Sequence, residues 1–350
     1  MALQAQESTR HGPRARKRRA ALGLRAHPYL LLGGALLLAV VLSLFVGRYP
    51  RPYWMSPATL AEDPLAQRLV LHLRLPRIIM ACLLGMTLAA SGSVLQMIFR
   101  NPLVEPGFLG VSQGAAFGAA LGIIFLGGSP LVIQAVAALC AFLGLAFSYL
   151  LARHIRYGGW TLRLVLAGIA VSALFSAGVG LLKYVADPLT QLPEITFWML
   201  GGLWGVGLEE LPFVLPPILL GLAVILLMRW RLNLLSLDEE TALSLGAAPT
   251  RERLILLIAA VVSTAAAVSL TGIVGWVGLI VPHLARRLLG ADARRALPGA
   301  LLLGGIFTLL ADDVARTALS GEIPLGILTS FFGALIFMAL MVSRGKVVRE

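Results

Sequence analysis

Residues 28–47 read PYLLLGGALLLAVVLSLFVG and contain no charged side chain. An α-helix needs about 20 predominantly apolar residues to cross a bilayer, which is the length of this stretch. A helix satisfies its own backbone hydrogen bonds in lipid, whereas an open sheet does not. The stretch is longer than a signal-peptide core and lacks a small-x-small cleavage site, so it predicts a retained transmembrane helix.

The rest of the chain repeats this pattern. Of its 350 residues, 58% are hydrophobic and 13% are charged, and the mean hydropathy is +0.88, a composition that excludes a soluble fold. We predict an all-α polytopic membrane protein with about ten transmembrane helices, some short or interrupted, in a single domain over residues 28–345. The candidate spans are residues 28–47, 76–98, 107–126, 131–152, 162–183, 212–229, 252–270, 275–289, 297–316 and 324–343.

Residues 1–27 form a basic tail. Its cations stand directly before the first span and favour a cytosolic N-terminus over nucleic-acid binding or twin-arginine export; they include Arg14, Arg16, Lys17, Arg18 and Arg19. With ten crossings both termini face the cytosol, and most Lys and Arg residues fall on that side. The outer-side exceptions cluster between residues 48 and 77, at Arg48, Arg51, Arg68, Arg74 and Arg77.

Enzymatic motifs are absent. The chain has no G-x-x-x-x-G-K-[ST] phosphate loop and no H-E-x-x-H zinc motif, and its five histidines are scattered. Cys82 and Cys140 both lie inside candidate spans and are interpreted as small packing residues. We therefore expect no enzyme activity, metal or cofactor in this chain.

Helix breakers occur at membrane depth in two places. One is Pro282, and the other is a glycine-rich stretch at Gly201, Gly202, Gly205 and Gly207. Non-helical backbone persists in a membrane only where protein or a water-filled cavity covers it, so these breaks indicate a path, or else simple kinks. Small residues four apart, as in Gly114 with Gly118 and Gly168 with Ser172, predict close helix packing.

A polar segment, residues 236–246, separates the sixth and seventh spans. The spacing of Ser236 and Glu239 fits a capping box, Asp238 suits a helix N-terminus, and Gly246 suits the C-terminal end. The segment predicts a short cytosolic helix that either is a simple connection or docks a partner. Near the outer end of the ninth span, Asp312 and Arg316 stand four apart, which predicts an internal pair for Asp312 and leaves Arg316 free to reach outward.

Several motifs together resemble the FecCD-type permeases, which belong to ATP-driven importers of iron-siderophores, haem and cobalamin. The resemblance covers residues 29–345. It rests on Arg74-Leu-Pro-Arg77, Gly92 to Gln96, Asn101-Pro-Leu-Val-Glu-Pro-Gly-Phe-Leu-Gly110, Gln113-Gly-Ala, Leu166-Ala-Gly168, Phe197-Trp-Met-Leu-Gly-Gly202, Leu243-Ser-Leu-Gly246, Gly275-Trp-Val-Gly-Leu-Ile-Val-Pro-His-Leu-Ala-Arg286, Ala311-Asp312 with Ala315-Arg316, and Ile323-Pro-Leu-Gly-Ile-Leu-Thr329.

The resemblance implies an assembly in a bacterial or archaeal inner membrane. The expected assembly is a lipid-embedded homodimer with the path between its copies, two cytosolic ATP-binding subunits that hold ATP and Mg²⁺, and one periplasmic or lipid-anchored binding protein. Nucleic acid is not an expected partner.

The resemblance also implies roles for particular residues. Arg74, Arg77 and Arg316 are expected to receive acidic residues of the binding protein, or, for the first two, to anchor the helix at the interface. The segment 237–246 is expected to couple the ATPase to the channel through Asp238, Glu239, Leu243, Leu245 and Gly246. It reads Asp-Glu-Glu-Thr-Ala where relatives usually read closer to Gly-Glu-x-x-Ala.

The gate residues implied by the resemblance are Asn101, Thr161 and Leu162. Some relatives carry two small hydroxyl residues where this chain has Thr161 and Leu162, and the neighbouring Trp160 adds bulk or sits at the interface.

Other functions fit the sequence less well. An ion-coupled secondary transporter would need a chain of charged groups through the bundle, which the sequence lacks apart from residues 312–316. The sequence contains no cluster of residues that would support an intramembrane enzyme or a structural anchor. Within the family, molybdate and similar oxyanions are an alternative to a bulky chelate, and residues 186–194 do not decide between them.

Overall fold

The computed structural model describes residues 28–50 and 53–347, with side chains to residue 342. The basic tail predicted at residues 1–27 lies outside the described residues. The described chain is a helical bundle, as predicted. Its helices are α1 Pro28–Phe45, α2 Pro57–Glu62, α3 Pro64–Leu69, α4 Leu75–Ile98, α5 Val111–Phe125, α6 Pro130–His154, α7 Trp160–Val185, α8 Gln191–Leu200, α9 Leu211–Leu227, α10 Arg229–Leu235, α11 Glu239–Ser244, α12 Pro249–Thr271, α13 Val277–Leu289, α14 Ala293–Thr317 and α15 Leu325–Val347.

Each of the ten candidate spans contains a helix. Among the described residues, seven helices are long and apolar enough to cross a membrane, and the pair α9 and α10, bent by 59°, makes an eighth if it counts as one span. The two remaining spans correspond to the short helices α5, with 15 residues, and α13, with 13 residues. The prediction of about ten spans, some short or interrupted, therefore holds.

Regular structure other than α-helix is limited among the described residues. A two-stranded antiparallel pairing joins β1 (Val46–Gly47) to β2 (Tyr53–Trp54). A π-helical turn, Val70–Arg74, connects α3 to α4, so that Pro64–Ile98 forms one helical unit of 35 residues. A 3-10 turn, Pro106–Leu109, precedes α5.

Helix α4 lies at the centre of the bundle. Its 18-residue apolar window is 78% buried, whereas the corresponding window of α1 is 11% buried. Glycine allows α14 to approach α4 closely: a Cβ built on Gly85 would lie 2.0 Å from the carbonyl oxygen of Gly304. The outer helices expose apolar side chains because a membrane or another chain, not water, surrounds them.

The predicted small-residue contacts are confirmed. A Cβ on Gly114 would lie 2.4 Å from the carbonyl oxygen of Cys140, and one on Gly168 would lie 2.3 Å from that of Phe108. These glycines let α5 and α6, and α7 and the 3-10 turn, meet backbone to backbone.

The breaks fall partly where the sequence predicted them. Gly201, with φ +68°, ends α8 and begins the non-helical stretch that precedes α9. Pro282, however, lies inside α13 and does not interrupt it. The interruption precedes that helix, at Gly272–Trp276, where Gly272 and Trp276 both adopt positive φ. Proline has no amide hydrogen, so the carbonyl oxygen of Gly278, four residues earlier, loses its intrahelical donor. That oxygen accepts instead from Gln96 Nε2 at 3.2 Å, so α13 tolerates the proline.

The two ends of the bundle carry different sites. The arginine end holds Arg74 and Arg77 at the start of α4, and the opposite end, which we call the α11 end, holds Arg100 just beyond it. Because a helix rises 1.5 Å per residue, the 24 residues of α4 separate these ends by roughly 36 Å.

Candidate transport path and docking sites

The arginine end is organised by a buried ion pair between α4 and α14. Arg77 Nη2 lies 2.9 Å from Asp312 Oδ1, and Arg77 Nη1 lies 2.8 Å from Glu322 Oε2. Asp312 is fully buried. Its predicted partner, Arg316, lies farther away, with Nε 3.8 Å from Asp312 Oδ2. The predicted internal pair is therefore present, but Arg77 lies closer to Asp312 than Arg316 does. The i, i+4 rule describes contacts within one helix, so it could not predict a partner on another helix.

Arg316 does not reach outward, which corrects the sequence-based expectation. It is 8% exposed, its Nη2 donates to the carbonyl oxygen of Ser43 at 2.8 Å, and it also pairs with Asp313. A buried guanidinium needs acceptors for its donors. Ser43 at the end of α1 and Asp313 on α14 supply them to Nη2, whereas Nε has no hydrogen-bond partner among the described residues.

Arg74 and Arg48 differ from these two arginines. Arg74 Nη1 and Nη2 donate to the carbonyl oxygens of Leu44 and Tyr49 at 2.8 and 3.2 Å, and Arg48 Nη2 donates to that of Thr317 at 3.2 Å. Among the described residues neither has a carboxylate within ion-pair distance, so their charge is not neutralised.

A cavity of about 330 Å³ lies at this end. The predicted docking arginines line it together; its lining includes Arg48, Arg74, Arg77, Arg316, Trp204 and Glu322. The structure thus brings the three residues to one place. Arg74 and Arg77 are each 9% exposed, so their contact with a partner would occur inside this cavity rather than on an open surface.

The predicted cytosolic helix is α11, at the other end. Its N-cap is Asp238, whose Oδ2 accepts hydrogen bonds from Thr241 N at 3.0 Å and Thr241 Oγ1 at 2.6 Å. These bonds lower the pKa of the exposed Asp238 carboxyl, the side-chain bond from Thr241 contributing most. The predicted capping box is wrong: Ser236 Oγ donates instead to the carbonyl oxygen of Asn233 at 2.7 Å.

Helix α11 offers an apolar surface. Leu243 and Leu245 are 56% and 55% exposed, while Ala242 is fully buried against the bundle. Gly246, with φ +77°, ends the segment as predicted, and its carbonyl oxygen accepts from Arg231 Nη1 at 3.3 Å. Exposed leucines beside a solvated, capped helix are typical of a protein-docking surface.

The predicted gate residues lie on two segments near the α11 end. Asn101 is exposed, and its side-chain oxygen accepts from Leu103 N at 3.0 Å. It lines a cavity of about 360 Å³ that includes Arg100, Ser236 and Arg286 but neither Thr161 nor Leu162. Leu162 is 48% exposed on the first turn of α7.

Trp160 connects these two segments. Its ring stacks on that of Phe99, with centroids 6.1 Å apart and planes at 24°. Phe99 is the C-cap of α4, two residues before Asn101. Trp160 is thus a packing residue between the two segments that carry the predicted gate residues.

A second cavity of about 360 Å³ lies near the middle of α4. Its lining combines apolar side chains with hydroxyl and amide groups and includes Leu88, Glu105, Ser112, Gln113, Ser172 and Thr264. Two segments that lie outside the α-helices meet here: residues 100–110, and the break before α13. A cavity beside irregular backbone is where a path or ligand is expected in a membrane protein.

Glu105 is a candidate site residue to which sequence reasoning assigned no role. Its Oε2 accepts a hydrogen bond from Trp276 N at 3.3 Å, which places a carboxylate at the N-terminus of α13. A negative group there complements the helix dipole. Residue 105 falls between the candidate spans 76–98 and 107–126, so the hydropathy pattern did not predict a carboxylate at membrane depth. The signal that could have found it is its place in the motif Asn101-Pro-Leu-Val-Glu-Pro-Gly-Phe-Leu-Gly110.

The helical architecture, with one cavity near the middle of the bundle and one near each end, is that of a multi-pass membrane protein with a candidate transport path. The FecCD transport family model matches residues 35–343. The molybdate import permease MolB of Haemophilus influenzae is 42% identical over 327 residues, covering 90% of this chain and 96% of that protein.

Further relatives carry other substrates. The hemin permease HmuU of Yersinia pestis is 39% identical over 91% of this chain and 96% of its own length. The vitamin B12 permease BtuC of Vibrio cholerae is 39% identical over 90% and 93%. A solved metal-chelate type ABC transporter in an inward-facing conformation has a TM-score of 0.83 and 40% identity, covering 90% of this chain and 98% of that one.

These comparisons specify the class as the permease subunit of an ABC importer, embedded in the inner membrane by several spans. The chain belongs to the FecCD transport family.

Proposed function

We propose that this chain carries a bulky metal chelate, an iron-siderophore, haem or cobalamin, from periplasm to cytosol in an ATP-driven importer. The observation that supports this proposal is the lining of the cavity near the middle of α4. Its one charged side chain among the described residues is the carboxylate of Glu105. A carboxylate repels a small oxyanion, whereas hydroxyl and apolar groups suit a large ligand that passes without tight binding.

Molybdate is the second candidate. The observation that favours it is the 42% identity to a molybdate permease, slightly above the 39% to the hemin and vitamin B12 permeases. These identities differ too little to choose a substrate, because the chain is nearly equidistant from all three.

The proposed assembly places this chain in a homodimer with both termini in the cytosol. Helices α7 and α15 support an interface: their apolar windows are only 33% and 28% buried within the chain. Exposed apolar side chains on them include Leu174, Leu181, Phe331 and Met338. Lipid or a second copy covers such faces, and the dimer would use part of them.

ATP and Mg²⁺ belong to two partner subunits that dock at the α11 end. Leu243 and Leu245 supply the exposed apolar contact, and Asp238, Glu239 and Gly246 set the ends of the helix that carries them. The binding protein docks at the arginine end, where Arg48 and Arg74 retain a positive charge for acidic side chains. Charge complementarity of this kind sets register and encounter rate.

The test is reconstitution in liposomes with the ATP-binding subunit and binding protein encoded beside the gene. Uptake of labelled ferric siderophore, haem, cobalamin and molybdate is measured side by side, with and without ATP. ATP-dependent uptake of one chelate is expected. Uptake of molybdate alone would replace the chelate with an oxyanion, and uptake without ATP would favour a secondary transporter.

A further inference from the structure

Arg253 is a buried cation directly beneath α11. It lies on the first turns of α12 and is 7% exposed. Its Nη1 lies 3.9 Å from Oε2 of Glu239, the first residue of α11, whose side chain is 58% exposed. Among the described residues Glu239 is the one carboxylate within ion-pair distance of Arg253, so the position of this buried charge depends on the position of α11.

The other face of Arg253 contacts an aromatic ring. Its guanidinium carbon lies 5.6 Å from the ring centroid of Trp160, a cation–π distance. Trp160 in turn stacks on Phe99, which immediately precedes the segment that carries Asn101. Contacts therefore run without a gap from Glu239 through Arg253 and Trp160 to Phe99.

Arginine suits this position because its planar group can pair with a carboxylate at its edge while a ring packs on its face. The Nε of Arg253 is buried and has no hydrogen-bond partner. A buried charge that is incompletely satisfied is sensitive to small displacements of its partners. A shift of Glu239 would therefore move the guanidinium and the two stacked rings with it.

We infer that Arg253 is a positioning residue that transmits movement of α11 to the gate segment, residues 99–103. This inference rests on the proposed function, because it assumes that ATP-binding subunits act on α11. It adds a route that joins the proposed coupling helix to Asn101 and assigns a role to Trp160 as well.

The first test compares Arg253→Met with Arg251→Met in the reconstituted importer. Arg251 lies on the same turn of α12 but is exposed, so it controls for loss of a nearby charge. We expect Arg253→Met to lower substrate uptake per ATP hydrolysed by roughly tenfold while ATP hydrolysis continues. Arg251→Met should match the unmodified protein. Arg253→Lys, which keeps the charge without the planar group, should fall between them.

The second test does not depend on the substrate. Spin labels on Leu103→Cys and Leu162→Cys, at 47% and 48% exposed positions, report the distance between the gate segments. Cys82 and Cys140 are buried, and a sample without the introduced cysteines controls for their labelling. ATP binding should change this distance in the Arg251→Met protein and leave it unchanged in Arg253→Met. An unaltered response in Arg253→Met overturns the inference.

If Arg253→Met does not assemble, the ends of the route carry the test. Glu239→Gln and Trp160→Leu are measured singly and together. If the two residues act in series, uptake per ATP hydrolysed in the double variant should be no lower than in the more impaired single variant. If the two losses multiply, the inference is overturned. If ATP changes the label distance in Arg251→Met but not in Arg253→Met, and no chelate is taken up, the proposed substrate is rejected and the route is retained. If a chelate is taken up and Arg253→Met responds to ATP as Arg251→Met does, the route is rejected and the proposed substrate is retained.

Discussion

The guanidinium group of Arg77 donates three hydrogen bonds, of 2.9 to 3.0 Å, to the carboxylate of Asp312, 235 residues further along the chain. The pair joins the start of α4 to the end of α14 in a position shielded from water. Removing one partner leaves the other charge with its secondary partner alone, Arg316 at 3.8 Å for Asp312 or the partly exposed Glu322 for Arg77. We therefore expect a loss of up to about 3–5 kcal/mol, the cost of a fully unpaired buried charge.

We therefore expect Arg77→Ala and Asp312→Asn each to lower the thermal stability of the purified protein in detergent. The joint substitution Arg77→Leu with Asp312→Leu should recover most of the loss, because it removes both charges at once. Intrinsic tryptophan fluorescence during heating measures this. Single variants as stable as the unmodified protein would show that the pair is solvated in detergent.

Binding-protein docking is best tested at Arg74. Reversal of Arg77 or Arg316 would disturb internal ion pairs, which would obscure any effect on docking. Arg74 contacts only carbonyl oxygens among hydrogen-bond partners in the described residues.

Arg74→Glu should weaken binding-protein affinity by roughly tenfold or more, as like charges meet at the interface, and binding should lose part of its salt dependence. Titration of the binding protein onto permease in nanodiscs measures both. His72→Glu, two residues away on the same turn, controls for added negative charge. Unchanged affinity in Arg74→Glu would favour an anchoring role for Arg74.

Glycine at position 92 is required by packing between α4 and α13. A Cβ there would lie 1.9 Å from the carbonyl oxygen of Gly278, and Gln96 Nε2 donates to the carbonyl oxygens of Gly278 and Leu279 at 3.2 and 3.0 Å. Gly92→Ala should destabilise the protein by about 1–3 kcal/mol, as overpacking does.

Gly33→Ala is the matched control for Gly92→Ala. Nothing lies within 4 Å of a Cβ at Gly33, on α1, so its melting temperature should stay within error. Equal melting temperatures for the two variants would show that α13 shifts freely to accept the methyl group.

Features of the fold that depend on residues near one another in the sequence could be predicted, whereas contacts between distant residues could not. The ten spans are visible in the sequence because length and composition alone determine whether a helix can cross lipid. Gly246 and Asp238 were also visible, since caps are local signals. The pairing of Arg77 with Asp312 was not, because local spacing suggested Arg316 and no periodic pattern encodes a contact across 235 residues.

The break before α13 shows the same limit from the other side. Pro282 is the stronger local breaker, yet the chain leaves the helix at Gly272–Trp276. Trp276 adopts φ +69°, a costly conformation for a bulky residue, and contacts with α15 hold it: a Cβ on Gly333 would lie 2.7 Å from the Trp276 Cβ. The position of the break agrees with the gap between the candidate spans 252–270 and 275–289, whereas the backbone conformation of Trp276 depends on tertiary packing and is absent from local sequence.

The contact between Glu105 and Trp276 gives a further prediction. Glu105→Ala removes the acceptor for the Trp276 amide at the start of α13, and a buried donor without a partner costs about 1–3 kcal/mol. Glu105→Gln keeps an oxygen acceptor and should lose less. Thermal melting and amide exchange of residues 274–280 measure this. Ser112→Ala, in the same cavity, should leave that exchange unchanged, and faster exchange in it would point to the cavity rather than the hydrogen bond.

The cap of α11 predicts a pH dependence. The pKa of Asp238 is lowered in the folded protein by its bonds from Thr241, relative to an unperturbed value near 3.9. A group with a lowered pKa contributes stability that is complete above about pH 4 and is lost as pH falls through the lower folded value. Amide protection of residues 239–246 should therefore be constant from pH 5 to 8 and fall below about pH 4.

Two variants test this assignment. Asp238→Asn still caps the helix but cannot be protonated, so its protection should not change over the same range. Asp238→Ala should show several-fold faster exchange at every pH. Hydrogen exchange measured by mass spectrometry and corrected for the intrinsic rate at each pH compares the three proteins. A fall in Asp238→Asn that parallels the unmodified chain would assign the acid sensitivity to another group.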